Sequence, residues 1–571
     1  MKYSEIQNIL NKADLNALPK LNISILRNVM IESMVPYIKY LSYQMGFEAK
    51  VQIGEYDNVV QESMGLKEGL LKEGTDCILV FMKLENLSWK LARNFATMDT
   101  KQVQEEIQRI KATVAEVLAG IRKQTKGMVL WHGFEIPLYP QNSSNQTGAI
   151  QQLNDLLREA LAQLPNAYYV DLNLCLSRIG GKSFYDLRYW HIGRAPYTLD
   201  ALSEIAQEDF KFIRALKGKN KKCLVLDCDN VLWGGVIGED GLKGIKLSKT
   251  HPGSPYYEFQ EEIVNLYHRG ILIALCSKNN SEDVWEVFRS HPDMALKEKN
   301  IVTAQINWED KATNIKKIAS HLNIGLDSMV FADDSEFEVN LVRQALPEVT
   351  VIHLPKERAV EYKDILASCG LFDTLTISSE DRQRGEMYKA EAQRKELQVQ
   401  ASDLGTYLKS LEMEVEIKSA DEFTIPRISQ LTQKTNQFNL TTKRYSDADI
   451  KNFAESKNSQ VLYLRLIDKF GDSGIVGVCI LNYKGEKAFL DSFLLSCRVL
   501  GRGVEDIFII HAMKLAQKKG CKVLVGEYIP TSKNMQAKDF LPKQGFDEKT
   551  YSYDLTQALK KEPEFFKKII T

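Results

Sequence analysis

The sequence lacks the features that mark several large classes of protein. Its 571 residues contain no apolar run near the roughly 20 residues that cross a bilayer. The first residues, MKYSEIQNILNK, offer neither the basic stretch nor the apolar core of a signal peptide. Nine cysteines occur without a CxxC motif or Cys/His metal-site spacing, as expected of reduced thiols. We therefore expect a cytoplasmic protein with no membrane partner.

Neither sign of charge is in excess. The 74 Lys and Arg residues face 75 Asp and Glu residues, so the charge balance predicts no nucleic-acid partner. A content of 44% hydrophobic and 26% charged residues excludes the disordered and collagen-like classes. A chain of this length exceeds a single hydrophobic core. Changes in pattern along it predict three domains, over 1–217, 218–377 and 378–571.

The first region alternates β-rich runs with helical periodicity. Strands are predicted in CILVFMKL (77–84), KGMVLWHGFEI (126–136) and AYYVDLNL (167–174), and a long helix over 87–124. The polar stretch PQNSSNQTGA (140–149) is predicted to be a loop. This alternation favours an α/β sandwich with parallel strands.

The second region repeats the alternation more clearly. Strands are predicted at 221–230, 271–279, 328–335 and 349–354, with helices around 257–269 and 310–322. The pattern predicts a doubly wound parallel sheet, in which ligands bind at the carboxyl ends of the strands. The polar residues near those ends are Asp227 and Asp229; Ser277, Lys278 and Asn279; Lys311; Asp333 and Asp334.

Phosphoryl transfer needs the parts that this set supplies. One carboxylate attacks phosphorus, and a second moves the proton of the leaving group. An amine and a divalent cation neutralise the phosphate oxygens, while a hydroxyl holds one of them. Each of these residues, taken alone, could simply cap a helix or be solvated. Four such motifs in this order favour phosphoryl transfer.

A DxD motif, a Ser, a downstream Lys and a paired DD resemble the haloacid dehalogenase (HAD) superfamily. The strings DCDNVLWGGVIGEDG (227–241) and FADDSEFE (331–338) resemble its FkbH-like branch more narrowly. This resemblance implies that Asp227 is a nucleophile that forms an aspartyl-phosphate. It also implies that Asp229 protonates the leaving group and then activates water.

The same resemblance implies the binding residues. Ser277, Lys278, Asn279 and Lys311 bind the phosphoryl group. Mg²⁺ is held by Asp227, the backbone carbonyl of Asp229, and either Asp333 or Asp334. The stretch between Asp227 and Ser277 is too short for a large cap domain, so we expect a flanking domain to cover the site. An open site tolerates a bulky substrate, such as one tethered to an acyl carrier protein.

The third region predicts a further α/β domain. Its pattern gives strands at 459–468, 474–484, 486–499 and 521–529, and a helix at 504–520. The charged helical stretch 378–398 before it is either a linker or a bracing element.

A short glycine pattern precedes the helix of the third region. Arg498, Gly501, Arg502 and Gly503 resemble the R-x-x-G-x-G pyrophosphate loop of GNAT acyltransferases, whose backbone N–H groups hold acyl-CoA. The cofactor implied is CoA or a phosphopantetheine arm. Cys497 lies beside two arginines and a predicted helix start, which favours a thiolate; the alternative is that it fills the core.

The FkbH-like resemblance assigns an acyl site to this region. It extends to LTQKTNQFNLTTKRY (431–445) and DKFGDSGIVG (468–477), which place Asn436, Asp472 and Gly474 near that site; turn and cap chemistry is their plainer interpretation. It implies that Cys497 carries an acyl group as a thioester.

The first region resembles an SGNH-type hydrolase in part. Asp186 and His191 lie in FYDLRYWHIGRAPYT (184–198) as an Asp–His pair of that family would. No GDS block is present near the start, where ILRNVMIES (25–33) looks helical and places Ser33 after it. We therefore expect an SGNH or flavodoxin-like fold without catalysis, with His191 packed or hydrogen-bonded, that covers the phosphatase site or binds a partner.

The leading hypothesis is a Mg²⁺-dependent phosphatase of HAD type coupled to acyl transfer. By the FkbH-like resemblance, a phosphorylated small molecule such as 1,3-bisphosphoglycerate passes its glyceryl group to Cys497 and then to a carrier thiol. One alternative is a phosphatase and acyltransferase that act on a sugar or polysaccharide precursor, which would not need Cys497. A third is a scaffold whose flanking domains are catalytically silent.

Overall fold

The computed structural model describes residues 3–66, 69–374, 384–400, 403–531 and 533–571. The chain forms two compact units, Met1–Arg214 and Ala215–Thr571. Over those described ranges, no helix combines the length and the apolar character that a membrane span requires.

The first unit is built on a five-stranded parallel sheet. Its strands are β1 (Lys20–Arg27), β2 (Glu48–Ile53), β3 (Cys77–Phe81), β4 (Met128–His132) and β5 (Ala167–Val170). Their order is β2-β1-β3-β4-β5, which is the flavodoxin-like arrangement. The helices are α1 (Tyr3–Lys12), α2 (Val35–Gln44), α3 (Val59–Ser63), α4 (Leu84–Leu87), α5 (Trp89–Arg93), α6 (Thr100–Gln124), α7 (Ser143–Ala162), α8 (Leu172–Ile179), α9 (Gly181–Phe184), α10 (Leu187–Gly193) and α11 (Leu199–Leu216). The predicted parallel sandwich is therefore present.

The helix predicted over 87–124 is interrupted. It consists of α5 and α6, which are separated by a 3₁₀ turn at Phe95–Thr97. A capping box sets the new start: Asp99 accepts a hydrogen bond from the Gln102 N–H at 2.8 Å, and Gln102 accepts one from the Asp99 N–H at 3.1 Å. The hydrophobic period alone does not reveal this break.

The loop predicted at 140–149 is wrong from residue 143 onward, because α7 begins there. Buried Gln146 anchors the first turn. Its amide donates to the Leu91 carbonyl at 2.8 Å and accepts from the Gln141 N–H at 2.8 Å. Part of this polar stretch therefore forms the first turn of α7, and its Gln146 side chain holds that turn to the end of α5.

Two expectations about the SGNH resemblance also fail. Residues 25–27, predicted to be helical, belong to β1, and Ser33 lies in a 3₁₀ turn at Glu32–Met34. His191 is exposed rather than packed. The carboxylate of Asp186 caps α10 and pairs with Arg188 at 2.8 Å.

A buried His–Asp pair joins the carboxyl end of β4 to α11 in the first unit. His132 Nδ1 is 3.0 Å from the Val80 carbonyl, which can only accept, so Nδ1 carries a proton. His132 Nε2 is 2.9 Å from Asp209 Oδ1, and burial raises the pKa of Asp209. Burial therefore favours a protonated Asp209 carboxyl, whose O–H can donate to His132 Nε2.

The variant Asp209→Asn should therefore keep the stability of the protein, whereas Asp209→Ala should lower the free energy of unfolding by about 2 kcal/mol. The asparagine amide can donate to His132 Nε2, but alanine leaves that nitrogen buried without a donor. Chemical denaturation of both variants measures the difference. Equal losses in the two variants would show that the pair is ionic instead.

The second unit begins with another five-stranded parallel sheet. Its strands are β6 (Cys223–Leu226), β7 (Leu272–Ser277), β8 (Ile301–Ile306), β9 (Met329–Asp333) and β10 (Thr350–His353), in the order β10-β9-β6-β7-β8. The helices are α12 (Ile237–Gly244), α13 (Ser254–His268), α14 (Ser281–Ser290), α15 (Lys311–Leu322), α16 (Glu336–Ala345) and α17 (Tyr362–Ser368). The sequence pattern missed β8, an edge strand that pairs only with β7 among the described strands.

A mixed sheet of eight strands completes this unit. Its strands are β11 (Glu414–Ser419), β12 (Phe438–Asn439), β13 (Ser459–Asp468), β14 (Gly471–Lys484), β15 (Lys487–Leu495), β16 (Val523–Val525), β17 (Ser552–Asp554) and β18 (Lys568–Ile570). The helices are α18 (Arg384–Gln400), α19 (Leu404–Ser410), α20 (Ile425–Lys434), α21 (Asp447–Glu455), α22 (Val504–Lys518) and α23 (Phe540–Lys543). Neighbouring strands are antiparallel except for β15–β16 and β11–β18. The predicted fold class, multidomain α/β with parallel sheets, is confirmed.

Helix α18 is a brace between the two sheets of the second unit. It packs against β7 and β8 of the parallel sheet and against β14 of the mixed sheet. Buried Arg394 donates two hydrogen bonds to Asp468, at 2.6 and 2.7 Å. Residues 378–383 of the predicted charged helix lie outside the described residues.

Candidate active site

The polar residues of the parallel sheet of the second unit meet at its carboxyl edge. Asp227 directly follows β6, and Asp333 ends the neighbouring strand β9. The helical connections of the chain leave this pair of strands toward opposite ends of the sheet, so Asp227 and Asp333 lie at the topological switch point. Such a crevice is the usual ligand site of a doubly wound sheet.

Three carboxylates converge at this point. One oxygen each of Asp227, Asp333 and Asp334 lies within 4.8 Å of the other two. Burial, and next the charge of Asp227, raises the pKa of Asp333 to about 7 and that of Asp334 to about 6. Burial and mutual repulsion thus disfavour the ionised forms of Asp333 and Asp334 in this cluster.

Lys311 supplies the opposing charge. Its Nζ lies 2.9 Å from Asp227 Oδ1 and 2.5 Å from Asp333 Oδ2, and it is almost fully buried. The lysine begins α15, and Asp310 fixes that start by accepting from the Thr313 N–H at 2.8 Å. Although burial opposes its charge, the two carboxylates raise the pKa of Lys311, which stays an ammonium.

Asp227 retains capacity for another ligand. Within the described part of the chain, Asp227 Oδ1 is a buried oxygen whose near neighbour is the Lys311 ammonium at 2.9 Å and which makes no hydrogen bond. Three carboxylates outweigh one ammonium, and carboxylate oxygens are the hard ligands that Mg²⁺ prefers. The residues present therefore fit a small divalent cation.

Asp229 is held apart from that cluster by three donors. Its Oδ1 accepts from the Trp233 indole N–H at 2.8 Å and the Ile237 N–H at 3.0 Å. Its Oδ2 accepts from the Asn279 amide at 2.8 Å. Burial nevertheless raises the pKa of Asp229, which favours a proton on this carboxyl. Sequence reasoning missed Trp233, although it lies inside the string 227–241.

The residues after β7 complete the pocket. Ser277 is buried at the strand end, 3.4 Å from the Asn279 amide nitrogen. Asn279 is buried and positions Asp229, as described above. Lys278 turns instead to Glu338, with its Nζ 2.6 Å from Glu338 Oε1. Between Asp227 and the start of β7 the chain forms α12, α13 and their connections, without an inserted cap.

Comparison with solved structures identifies the family. The N-terminal part of protein BF1531 from Bacteroides fragilis, a crystal structure that contains a phosphatase domain complexed with Mg, is 30% identical to this chain. The match covers 66% of this chain and 100% of that one, with a TM-score of 0.58. The chain belongs to the HAD-like phosphatase family. No family model and no curated protein matches it.

Two acetyltransferases match a small part of this HAD-like phosphatase. They are the ribosomal-protein-S18-alanine N-acetyltransferase of Escherichia coli, with 16% identity and a TM-score of 0.20, and a GNAT-family acetyltransferase of Streptococcus pneumoniae, with 16% identity and a TM-score of 0.19. The matches cover 24% of this chain and 79% and 85% of those chains.

A second cavity lies on the opposite edge of the HAD-like sheet. Its volume is about 310 Å³, and its lining includes Lys222, which precedes β6, and Ser328, which precedes β9. Cys497 also lines it and is half-buried, at the start of a 3₁₀ turn beyond β15. The charged lining residues are Lys222, Arg427, Lys434, Arg498, Lys533 and Asp327. The cavity therefore has an excess of positive charge.

The structure corrects the role expected of Arg502. This side chain is buried and pairs with Glu391 and Asp468, and it donates to the Arg498 carbonyl at 2.6 Å. It ties the loop to α18 through Glu391. Arg498, by contrast, lines the cavity of Cys497.

The two glycines of the loop shape its backbone. Gly501 and Gly503 have φ of 76° and 71°, in the left-handed region that favours glycine. The Gly501 N–H already donates to Glu505 at 3.2 Å, and a Cβ on Gly503 would lie 2.5 Å from the Phe565 ring. In this conformation the Gly501 N–H is already satisfied by a side chain of the following helix.

The three residues expected near the acyl site separate into two groups. Asn436 lines the same cavity as Cys497. Asp472 is paired with Arg465 and accepts from the Gly474 N–H at 2.7 Å, and neither Asp472 nor Gly474 is among the lining residues of that cavity. Their arrangement matches the turn chemistry weighed above.

Proposed function

We propose that this HAD-like protein is a Mg²⁺-dependent phosphatase that acts on a phosphorylated small molecule through Asp227. The observation that carries the proposal is the buried cluster of Asp227, Asp333 and Asp334 around Lys311. Three buried acids that share one ammonium lower the stability of the fold. Such a cluster is therefore better explained by a role in catalysis than by a role in folding. The Mg-complexed relative supports it.

The first half-reaction uses the two acids of the DxD motif. Asp227 attacks phosphorus, so an O–P bond forms to the carboxylate as the bond to the leaving group breaks. Asp229, whose pKa is raised by burial, donates a proton to the departing oxygen. Ser277 and Lys311 hold the phosphoryl oxygens, and Asn279 keeps Asp229 oriented.

The second half-reaction reverses these roles. Asp229, now ionised, takes a proton from water, and the water oxygen attacks phosphorus. The aspartyl–phosphorus bond breaks and inorganic phosphate leaves. Mg²⁺, held by Asp227, the Asp229 carbonyl and Asp333 or Asp334, would neutralise phosphate oxygens throughout. Asp334 is the stronger candidate of the last two, because both oxygens of Asp333 already contact Lys311 and the Ser335 N–H.

Removal of Mg²⁺ should lower phosphate release from a panel of phosphate monoesters by at least about 100-fold. Without a cation, the carboxylates repel the incoming phosphate. The measurement compares phosphate release with Mg²⁺, after chelation, and after Mg²⁺ is restored. Unchanged release after chelation would contradict the metal assignment. A protein that turns over no monoester under any condition would instead support the scaffold hypothesis.

We further propose that Cys497 accepts an acyl group from a phosphorylated donor such as 1,3-bisphosphoglycerate. The specific observation is that this thiol lines a cavity rich in lysine and arginine, which would hold an acyl phosphate. The sulfur attacks the acyl carbon, the C–O bond to phosphate breaks, and phosphate leaves. A carrier thiol then attacks the thioester and frees Cys497. The remaining monoester is a substrate for Asp227.

The three proposed domains divide this work. Residues 218–377 hold the phosphatase site, and 378–571 supply Cys497, with access for a phosphopantetheine arm of an acyl carrier protein in preference to CoA. Because Glu505 already accepts from the Gly501 N–H, the cavity of Cys497 is favoured over the GNAT loop as the place where that arm binds. Residues 1–217 form the SGNH-like domain.

Intact-protein mass spectrometry tests the thiol. After incubation with Mg²⁺ and 1,3-bisphosphoglycerate, Asp227→Asn should carry a phosphoglyceryl adduct that is absent when Cys497→Ala is added. Cys369, also half-buried in this unit, provides the matched control Cys369→Ala, which should keep the adduct. An adduct that survives Cys497→Ala would overturn the assignment, and no adduct at all would favour the sugar-directed alternative, which does not need this thiol.

A further inference from the structure

The first unit contains a cavity that the phosphatase proposal does not use. Its volume is about 320 Å³, within the range of small-molecule sites. It lies at the carboxyl edge of β3 and β4, where Lys83 and Glu135 follow the two strands. This edge adjoins the switch point between β1 and β3, the place where flavodoxin-like sheets bind ligands.

The cavity has a charged floor. Lys83 Nζ lies 3.1 Å from Glu135 Oε1 and 3.6 Å from Glu85 Oε2, and Tyr197 donates to Glu135 Oε1 at 2.5 Å. Lys83 and Glu135 are less than a tenth exposed. The Lys83 ammonium also lies 5.2 Å from the centre of the Tyr185 ring. The polar groups are therefore fixed in place before any ligand arrives.

A buried charged network of this kind contributes little to the stability of the fold. Removing an ion pair from water costs several kcal/mol per ion, and a well-packed apolar cluster of the same volume is often at least as stable. A buried charged network at the ligand-binding edge of a sheet is better explained by recognition. The aromatic and apolar walls of the cavity also favour a role in ligand recognition.

The mouth of the cavity exposes apolar surface. Tyr139 is 83% exposed and Leu187 is 62% exposed, and both line the opening. Buried Trp190 and half-buried Tyr185 form the wall behind them. An aromatic ring that is left in water at a cavity mouth offers a face on which a ligand ring can stack.

We propose that this cavity binds a neutral, hydroxyl-rich ligand of the saccharide class. Its charged lining side chains are Lys83 and Arg93 against Glu85 and Glu135, so the site has no net charge with which to select an anion or a cation. Fixed donors and acceptors suit hydroxyl groups, and the aromatic faces suit the C–H faces of a sugar ring. This inference is independent of the phosphatase proposal.

The lining does not match that of an SGNH-type hydrolase. Among the described residues that line the cavity there is no serine, threonine or cysteine to act as its nucleophile. Ser33, Asp186 and His191 of the SGNH comparison are not lining residues either.

A glycan array that carries neutral, sialylated and sulfated saccharides, probed with the full chain, tests the proposal. The wild type should bind at least one neutral glycan, and Tyr139→Ala and Glu135→Gln should each weaken that binding at least tenfold. Tyr189→Ala removes another exposed tyrosine, which lies on α10 but does not line the cavity, and should bind as the wild type does. Because Tyr139 is exposed, its variant decides the question even if Glu135→Gln fails to fold.

Three results would overturn the proposal. One is an array on which no neutral glycan is bound by the wild type. Another is binding that Tyr139→Ala leaves unchanged. The last is binding restricted to sialylated or sulfated glycans, which would show that the cavity selects charge.

Discussion

Replacement of Asp227 by Asn will abolish phosphate release, with a loss of at least about 10⁴-fold in kcat. An amide is a poor nucleophile toward phosphorus, and it removes one of the three carboxylates that would hold Mg²⁺. The fold should survive, because asparagine has the same shape and because one acid fewer reduces the repulsion around Asp333. Single-turnover assays and thermal unfolding of the variant provide the two measurements.

The matched control for this variant is Glu286→Gln. Glu286 is exposed on α14 of the same sheet unit, so its loss of charge should change the rate less than twofold. Wild-type rates in Asp227→Asn would sink the nucleophile assignment. Equal losses in the two variants would show that the overall charge of the domain, and not this carboxylate, sets the rate.

Replacement of Lys311 by Met should damage both stability and activity. The ammonium lies within 2.9 Å of two carboxylates in the core, and without it three acids face one another in a buried site. Loss of one partner of a buried ion pair typically costs about 3–5 kcal/mol. We expect a loss of that size in the free energy of unfolding in the absence of Mg²⁺, and phosphate release below detection.

Lys317→Met is the control, because Lys317 lies on the same helix but pairs with Glu309 at the surface. Exposed pairs contribute about 0–1 kcal/mol, so this variant should unfold close to the wild type. Denaturation curves of the two variants give the comparison. Similar losses in the free energy of unfolding for Lys311→Met and Lys317→Met would contradict a special need of the buried acids around Asp227 for the Lys311 ammonium.

The candidate site was largely predictable from the sequence because its residues are tied to strand ends. Asp227, Ser277 and Asp333 each end or follow a strongly apolar run, and parallel strands bring such ends to one edge. Lys311 could be included because its helix starts at the same edge. The strand pattern therefore determined which of these side chains would meet.

The remainder depends on contacts that the pattern does not contain. Whether Arg502 faces a ligand or α18 is decided by Glu391, which is distant in the sequence. The helix start at Ser143 depends on the hydrogen bond between Gln146 and the Leu91 carbonyl. Among the described strands, β8 pairs with β7 alone, so its sequence carries a weaker strand pattern than the central strands. The cavity of Lys83 combines residues that are distant in the sequence, on the helices α4, α5 and α10 and on the connections around them.

The placement of Cys497 and Asp227 on opposite edges of one sheet fixes an order of events for the proposed reactions. Strand β6 is four residues long, so Lys222 and Asp227 at its two ends are about 16 Å apart through the core. A glyceryl group bound directly to Cys497 is far too short to present its phosphate to Asp227. If Cys497 acts as proposed, we therefore expect transfer to a longer carrier arm to precede dephosphorylation. Without carrier, even the wild-type enzyme should stall with the phosphate still on its thioester.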